Sequence, residues 1–512
     1  MELINASRWL REGMVYDTIM EALATEKLRR HKTAFDSDDL QILFDLRKLA
    51  PATSTPVAFC NAFARLEEKE EGERRRPIFE PLINDILAES SDPILETTTR
   101  YTPKEDIRRF VYETACAAQF DFAAWFDQFS LAPKIRKFFG VATSTGDYEL
   151  CVLPMGFRPS CQVAQATTSS IMSISFNTPS ASCVDNVLFL GTKDSVFRAS
   201  KEFLVRSAAV GAQIKDSTIN LTTEYDFLGE HYDHVKRTRC LTSKTASKAR
   251  YVYDLVGART VFRTKQLQAI FGLLFYAANT LRITIAKFHW AMRFMSSVCA
   301  TGQDVEHELP KDVCVEIREW ARISFTNEPV EVYTPDSEAD FVVYTDASAY
   351  GWGAISISRG GNVLSISRPW TQQEREQYNV YSSVVAEPLA IRKAIAALVP
   401  TSAKKVTLFT DHLPFCYAYK GTYGRAWSYS SAIQFLSTYN TVFDVQHVPG
   451  ELNPADALSR ARPVDTVCPT PPLLNVTSIA GMRCRRGGEV WEWDGRARDP
   501  AHNIPPKHTM TR

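Results

Sequence analysis

Two sets of carboxylates stand where strand and helix patterns end, the places from which side chains can converge on one sheet edge. In the C-terminal set, Phe341-Val-Val-Tyr-Thr is a strand pattern ending at Asp346, and Val406-Thr-Leu-Phe-Thr is another ending at Asp411. Glu387 opens a segment in which Ile391, Ile395 and Leu398 mark one helix face, with Pro388 expected in the first turn. Asn453-Pro-Ala-Asp456 begins a short helix. Clustered carboxylates repel one another unless a divalent cation lies between them, and hard oxygen ligands select Mg²⁺ or Mn²⁺. Two such ions, roughly 3.5–4 Å apart, can activate a water and stabilise the leaving oxygen of a phosphodiester.

The N-terminal set has the same logic. Phe120-Asp121 ends a strand that turns into a helix, and Ser182-Cys-Val-Asp185-Asn186 is a polar pair between apolar runs, a hairpin with its acid at the tip. Between them, Leu153-Pro-Met-Gly156-Phe-Arg158-Pro159 forms a loop leading into a helix that carries Gln165. Asp121 and Asp185 on adjacent strands would hold two Mg²⁺, one to activate a 3′ hydroxyl and one to neutralise a triphosphate.

The elements that must position these groups fall into two α/β stretches. The first alternates helix and strand patterns from Asp106 to about Gly229, and a long helical pattern follows from Lys244 to about Val298, with Leu267, Ile270 and Leu274 at helical spacing. Asn327 to Asp340 is polar, contains Pro329 and Pro335, and is expected to be a linker. The second unit runs from Phe341 to about Arg460, with two further strands, 354–358 and 363–367, joined by Arg359-Gly-Gly. The run EEKEEGERRR, Glu67 to Arg76, has the pattern of a solvated loop or helix face.

The chain has 512 residues, 45% of them apolar, so two or three domains with large cores are expected. Lys+Arg and Asp+Glu are both 59, so any nucleic-acid groove must be locally basic. Eleven scattered cysteines without a C-x-x-C pair point to reduced thiols in a reducing, intracellular compartment. No run is long enough to span a membrane, and no membrane partner is expected.

YTDAS, AEPLAI, FTDH and HVPGELNPADALSR resemble, in order, the four motifs of retroelement ribonuclease H. The resemblance implies that Asp346, Glu387, Asp411 and Asp456 hold two metals and cut the RNA strand of an RNA–DNA hybrid. Many relatives carry a His in the loop before the last Asp; here that loop reads Gly450-Glu451-Leu452, and neither it nor His447 is given a role. The upstream strings resemble motifs A, B and C of reverse transcriptases, which implies catalytic roles for Asp121, Asp185 and Asn186. Phe126 matches the aromatic that excludes a 2′-hydroxyl, and Gly156 and Gln165 fall in motif B. Phe227-Leu-Gly229 resembles the primer-grip motif and Lys215 stands near the motif D lysine. Arg74 to Asn84 resembles the fingers segment whose Arg clamps the triphosphate; spacing to Asn84 selects Arg75, and the register admits a shift of one.

The resemblance thus implies a multidomain α/β and α+β chain: a right-hand polymerase with fingers, palm and thumb, then a ribonuclease H-like α/β domain. Its boundaries would be an N-terminal extension over 1–60, fingers and palm over 60–240, helical thumb, connection and linker over 241–335, ribonuclease H over 336–462, and a loosely ordered tail over 463–512. Two Mg²⁺ or Mn²⁺ per site, RNA template, DNA primer, RNA–DNA hybrid and deoxynucleoside triphosphates are the implied cofactors and partners. In style the chain is similar to tyrosine-recombinase retroelements of the DIRS type and the related trypanosomatid elements. Motif C departs from the family: Asn186 stands where a second Asp is usual, and Cys183 where Tyr is usual. A second reading therefore stays open, a catalytically decayed relic that binds nucleic acid.

Overall fold

The structure, a computed structural model, describes residues 35–69, 72–85, 99–173, 178–300, 302–335 and 337–461. The expected tail over 463–512 and most of the N-terminal extension lie outside the described residues. The chain divides into two compact units, one of residues 1–283 and 290–336, the other of 284–289 and 337–512.

In the first unit, β1 (Leu49–Pro51) begins a chain of short sheets. A long hairpin, β2 (Cys60–Lys69) and β3 (Gly72–Pro81), follows. The described part of the charged run, 67–69 and 72–76, thus lies in paired strands rather than in a loop or helix face: Leu66 pairs with Arg75 and Arg65 with Arg76 across the ladder. Cross-strand pairing overrides the polar composition there. After the helix Lys104–Glu113 come β4 (Cys116–Asp121), β5 (Gly140–Ala142), β6 (Asp147–Leu150), β7 (Ser180–Cys183) and β8 (Asn186–Gly191). Strands β4, β8 and β7 form one antiparallel sheet in that order. Helices Ser160–Met172 and Lys193–Ala209 help cover it, and Phe120, Phe189 and Phe203 meet in its core.

A further meander is made of β9 (Glu224–Phe227), β10 (Glu230–Asp233) and β11 (Thr238–Leu241). The expected long helical stretch consists of helices 243–258, 264–281 and 289–300, interrupted by β12 (Val261–Arg263), which pairs with β13 (Glu306–Glu308). The expected linker is corrected in its first half. There β14 (Val330–Glu331) pairs with β11, and Val332 is wholly buried. Arg239 of β11 explains the attachment: its guanidinium takes the carbonyls of Glu331 and Val332, and also that of Thr280 in the last turn of the 264–281 helix.

The second unit is a five-stranded sheet of β15 (Phe341–Ala347), β16 (Gly351–Ser358), β17 (Val363–Pro369), β18 (Lys405–Thr410) and β19 (Val442–His447), in the order β17-β16-β15-β18-β19. The first three strands are antiparallel, and β15, β18 and β19 run parallel. Helix 383–398 packs on β15 and β16, burying Ile391 and Ile395 as the periodicity requires. Pro388 lies in the helix interior, not in its first turn, because the helix begins at Ser383. The Val384 carbonyl that a proline leaves without its N–H donor accepts from Ser428 Oγ at 2.5 Å. Thr284–His289 also belongs to this unit: Gln434 donates to the Ala286 carbonyl, and His289 Nδ1 meets Ser430 Oγ at 3.0 Å. No helix among the described residues is long and apolar enough to cross a membrane.

Candidate active site

In the second unit, parallel pairing of Thr345 with Thr410 brings the C-terminal ends of β15 and β18 level. The next residues are Asp346 and Asp411. Glu387 enters from the 383–398 helix and accepts from the Ala347 N–H at 3.2 Å. One carboxylate oxygen from each of Asp346, Glu387 and Asp411 lies within 4.8 Å of the others, a spacing that could hold a metal ion. Asp346 and Glu387 are 2% and 5% exposed. Each keeps one buried oxygen, Asp346 Oδ2 and Glu387 Oε2, without a hydrogen-bond partner.

That arrangement is costly as it stands. Burial pushes the Asp346 carboxyl up to about 6; a hydrogen bond with Ser459 opposes the rise, and the charges of Asp411 and Asp456 add to it. Burial and the charges of Asp346 and Asp411 raise Glu387 well above the usual carboxylate range, and burial also raises Asp411. Orphaned buried oxygens on clustered acids are the donor set a hard cation needs.

Asp456 stands outside that trio. It begins the Asp456–Ser459 helix and is held by Arg460, whose Nε and Nη2 both approach Oδ1 at 2.9 Å. Ser348 Oγ and Ser367 Oγ donate to the Ser459 and Leu458 carbonyls and pin this helix to the sheet. Asn453, which carried no role in the sequence reading, is buried and donates to the Thr345 carbonyl at 2.9 Å, tying the Asp456 loop to the strand of Asp346. Its only sequence signal was membership of the HVPGELNPADALSR string.

In the first unit, Asp121 ends β4 and pairs in register with Asn186, which begins β8. The Asp185 carbonyl accepts from the Phe122 N–H at 2.9 Å, so strand and turn are locked together. Burial raises the Asp185 carboxyl, partly offset by a backbone hydrogen bond, and the charge of Asp121 adds to the rise. Lys215 forms an ion pair with Asp121 Oδ2, while Asp121 Oδ1 is buried without a partner. Asn186 Nδ2 donates to Asp185 Oδ1 at 3.1 Å.

Gln165 braces the turn from below. Its Oε1 accepts from the Val184 N–H at 2.7 Å, and Thr168 Oγ1 donates to the Val184 carbonyl at 2.5 Å. Val184 has φ of 56°, a left-handed conformation that costs a β-branched residue on the order of 1–3 kcal/mol. Two side chains of one helix thus hold the strained residue next to Asp185. Gly156 lies against the other wall: a Cβ there would stand 2.3 Å from the Phe79 carbonyl oxygen. Asn84 clamps the same loop through the Gly156 carbonyl and the Arg158 N–H. Phe126, in a 3-10 turn at Trp125–Gln128, is partly buried and packs against two core clusters.

Arg75 is engaged elsewhere. It grips Asp39 through Nε at 2.9 Å and Nη2 at 2.6 Å, and approaches Asp36 at 3.1 Å. Arg76, on the opposite face of the strand, reaches Met155 Sδ at 3.3 Å in the loop that carries Gly156.

Residues 336–437 match the family described as RNase H-like domain found in reverse transcriptase. Among solved structures, the chain is similar to a foamy viral protease–reverse transcriptase in complex with double-stranded DNA, with TM-score 0.49 and 14% identity over 82% of this chain and 71% of that one. A foamy viral protease–reverse transcriptase in complex with RNA/DNA hybrid gives TM-score 0.46 and 13% identity over 89% and 59%. The retrovirus-related Pol polyprotein from transposon gypsy of Drosophila melanogaster is 24% identical over 356 residues, 66% of this chain. The match spans 32% of that polyprotein's length. The chain thus carries an RNase H-like domain of the kind found in reverse transcriptases over residues 336–437, and along 66% of its length it resembles a retroelement Pol polyprotein.

Proposed function

We propose that the chain is an RNA- and DNA-templated DNA polymerase of a retrotransposon, joined to a ribonuclease H that cuts the RNA strand of RNA–DNA hybrids. The observation that carries the nuclease half is the trio Asp346, Glu387 and Asp411, with two buried oxygens lacking partners. Asp121 and Asp185, brought onto adjoining strand ends, support the polymerase half. In this reading residues 60–240 are fingers and palm, 241–335 the thumb and connection, and 336–462 the ribonuclease H domain, with a DIRS-type origin for the element.

Each carboxylate set would hold divalent cations, Mg²⁺ or Mn²⁺, with Asp456 completing the nuclease set once Arg460 releases it. When bound, such ions lower the pKa of an attacking oxygen and offset charge on the leaving one. The remaining work belongs to the chain. Gln165 and Thr168 fix the Asp185 turn, Phe126 walls off the position of a 2′-hydroxyl, and Lys215 offers an ammonium beside the triphosphate. For the fingers arginine we assign Arg76, because strand alternation turns it toward the loop that carries Gly156, where it reaches Met155.

A second reading, a decayed polymerase that only binds nucleic acid, is favoured by Asn186, which presents an N–H to Asp185 where a carboxylate would add ligand charge. Primer extension on an RNA template, run with Mg²⁺ and with Mn²⁺ beside a hybrid-cleavage assay, decides between them. Asp185→Asn and Asp346→Asn serve as controls for the two activities. Binding of primer–template with neither extension nor hybrid cleavage in either metal selects the second reading.

A further inference from the structure

The second unit holds a cavity that neither carboxylate set uses. It measures about 340 Å³ and lies between the 383–398 helix and a further helix, Trp427–Leu436, with residues 377–379 along one side. Val385, Leu389 and Arg392 line it from positions i, i+4 and i+7 of the first helix, a face distinct from the one that carries Glu387 to β15. Tyr378, Val384 and Trp427 complete its apolar walls. The helix pair is tied at two points beside the cavity: Ser428 Oγ donates to the Val384 carbonyl at 2.5 Å, and Arg392 Nη1 donates to Ser431 Oγ at 3.0 Å. The close apolar packing of the pair lies elsewhere, in a core that holds Ile391, Ile395, Ala432 and Ile433, so side chains leave the space beside the ties open.

Arg392 is the one charged residue on this lining, and it pairs with no carboxylate among the described residues. Its neighbour Lys393, by contrast, is neutralised by Glu374. Phe435 packs against the guanidinium, 5.5 Å away at its ring centre. Arg392 Nε is buried without an acceptor. A buried donor left unmade costs more than a made bond returns, so the fold carries a standing demand for an acceptor here. Nε and Nη2 form one edge of a guanidinium. Arg75 gives that edge to Asp39 and Arg460 gives it to Asp456, so this chain twice matches it with a carboxylate. In Arg392 the same edge has no partner among the described residues.

We propose that the cavity binds a small monocarboxylic acid with an apolar body, its carboxylate on Arg392 and its body between Tyr378 and Trp427. One unpaired cation calls for one negative charge, and a two-donor edge calls for a planar pair of oxygens. A turn of the side chain's flexible end brings that edge to the ligand. Apolar walls call for a hydrocarbon or aromatic body, the usual balance of small-molecule sites, where a few polar groups set orientation. At roughly 30 Å³ per heavy atom, the share one water takes, the volume admits about ten. Phosphate monoesters fit less well, because their second charge finds no second cation on this lining. Trp427 is 52% exposed, and His289 meets its ring edge to face at 5.2 Å, so this wall is set before a ligand arrives. The inference rests on neither catalytic reading.

The test is calorimetric titration of the full chain with octanoate, and with octanol as its uncharged match. Octanoate should bind at least about tenfold tighter than octanol, the worth of a charge-assisted contact. Arg392→Gln should remove that margin, weakening octanoate about tenfold and leaving octanol unchanged. Trp427→Ala should weaken both. In wild type, bound octanoate should slow amide exchange in the 383–398 and 427–436 helices. If Arg392→Gln does not fold, as its melting would show, Trp427→Ala and the exchange map decide. Equal affinity for acid and alcohol, octanoate binding left intact in folded Arg392→Gln, or protection confined to other residues overturns the proposal. So does the absence of saturable binding at millimolar octanoate. Displacement of octanoate by inorganic phosphate at equal concentration would mark a general anion site and overturn it as well.

Discussion

At the scale of single residues, the amide of Asn186 decides how much charge the polymerase site can bring to a cation. It donates to Asp185 Oδ1 at 3.1 Å, so it satisfies part of the carboxylate that a metal would otherwise claim. An amide oxygen ligates more weakly than a carboxylate, and Mg²⁺, which demands near-ideal octahedral geometry and dehydrates reluctantly, feels that loss more than Mn²⁺. We therefore predict that wild type prefers Mn²⁺ and that Asn186→Asp raises extension most clearly in Mg²⁺; equal Mg²⁺ rates for the two proteins would show that the carboxylate is not limiting. The neighbouring arginines give a second prediction. Arg76→Ala should raise KM for deoxynucleotides about tenfold or more, as loss of a charge-assisted contact does. Arg75→Ala should instead loosen the 37–45 helix, leaving that KM near wild type, because its partners are Asp36 and Asp39. Reversed effects would return the triphosphate role to Arg75. Spacing within the chain could not separate two adjacent arginines. The choice depends on which strand face meets Met155, and that is set by the pairing of β2 with β3.

At the scale of elements, what was legible in the sequence was local. The strand patterns ending at Asp346 and Asp411, the hairpin tip at Asp185 and the helix face of Ile391 and Ile395 are short-range periodicities, and the structure has those elements. What was not legible depends on partners far along the chain. Glu230 finds Lys104 and Arg108 more than a hundred residues away, and Thr284–His289 packs with the second unit although its pattern continues the helices around it. The Asp456–Ser459 helix shows how such packing serves chemistry. Gly353 pairs in register with Asp346, and a Cβ on it would meet Leu458 Cβ and the Ser459 nitrogen at 2.5 Å. Only glycine lets this helix lie close enough to the sheet to bring Asp456 near the trio. Gly353→Ala should displace the helix, costing about 1–3 kcal/mol through overpacking, and should cut hybrid cleavage much more than primer extension. Cleavage at the wild-type rate in the alanine variant would mean that the position of Asp456 is not set by that contact.

At the scale of the whole molecule, the two candidate sites fall in different compact units, so the stability of one unit can be read against the other as an internal control. The second unit buries acids whose folded pKa values lie above their unfolded ones. Asp346 rises from 3.8 to about 6, and Glu387 and Asp411 shift in the same direction. Between those two values the folded protein keeps a proton on Asp346 that the unfolded chain has released. Stability must then fall as pH rises from about 4 to about 6, and level off above, with Asp346 contributing up to about 3 kcal/mol of the loss. Glu387 and Asp411, shifted in the same direction by burial, add to the decline. A divalent cation bound to the ionised trio opposes this trend, adding about 3 kcal/mol at a hundredfold excess over its dissociation constant. Protons compete for the same oxygens, so the cation's benefit should be large at pH 8 and small at pH 5. Because a chain of two units need not unfold in one step, the measurement is hydrogen exchange over residues 341–461, with and without Mg²⁺, at both pH values. Asp346→Asn should slow exchange there at pH 8 without metal and abolish the response to Mg²⁺, while residues 116–241 in the other unit are unaffected by the substitution. Protection in the second unit that is indifferent to Mg²⁺ at pH 8 would mean that these buried carboxylates, whatever their spacing, do not bind a cation.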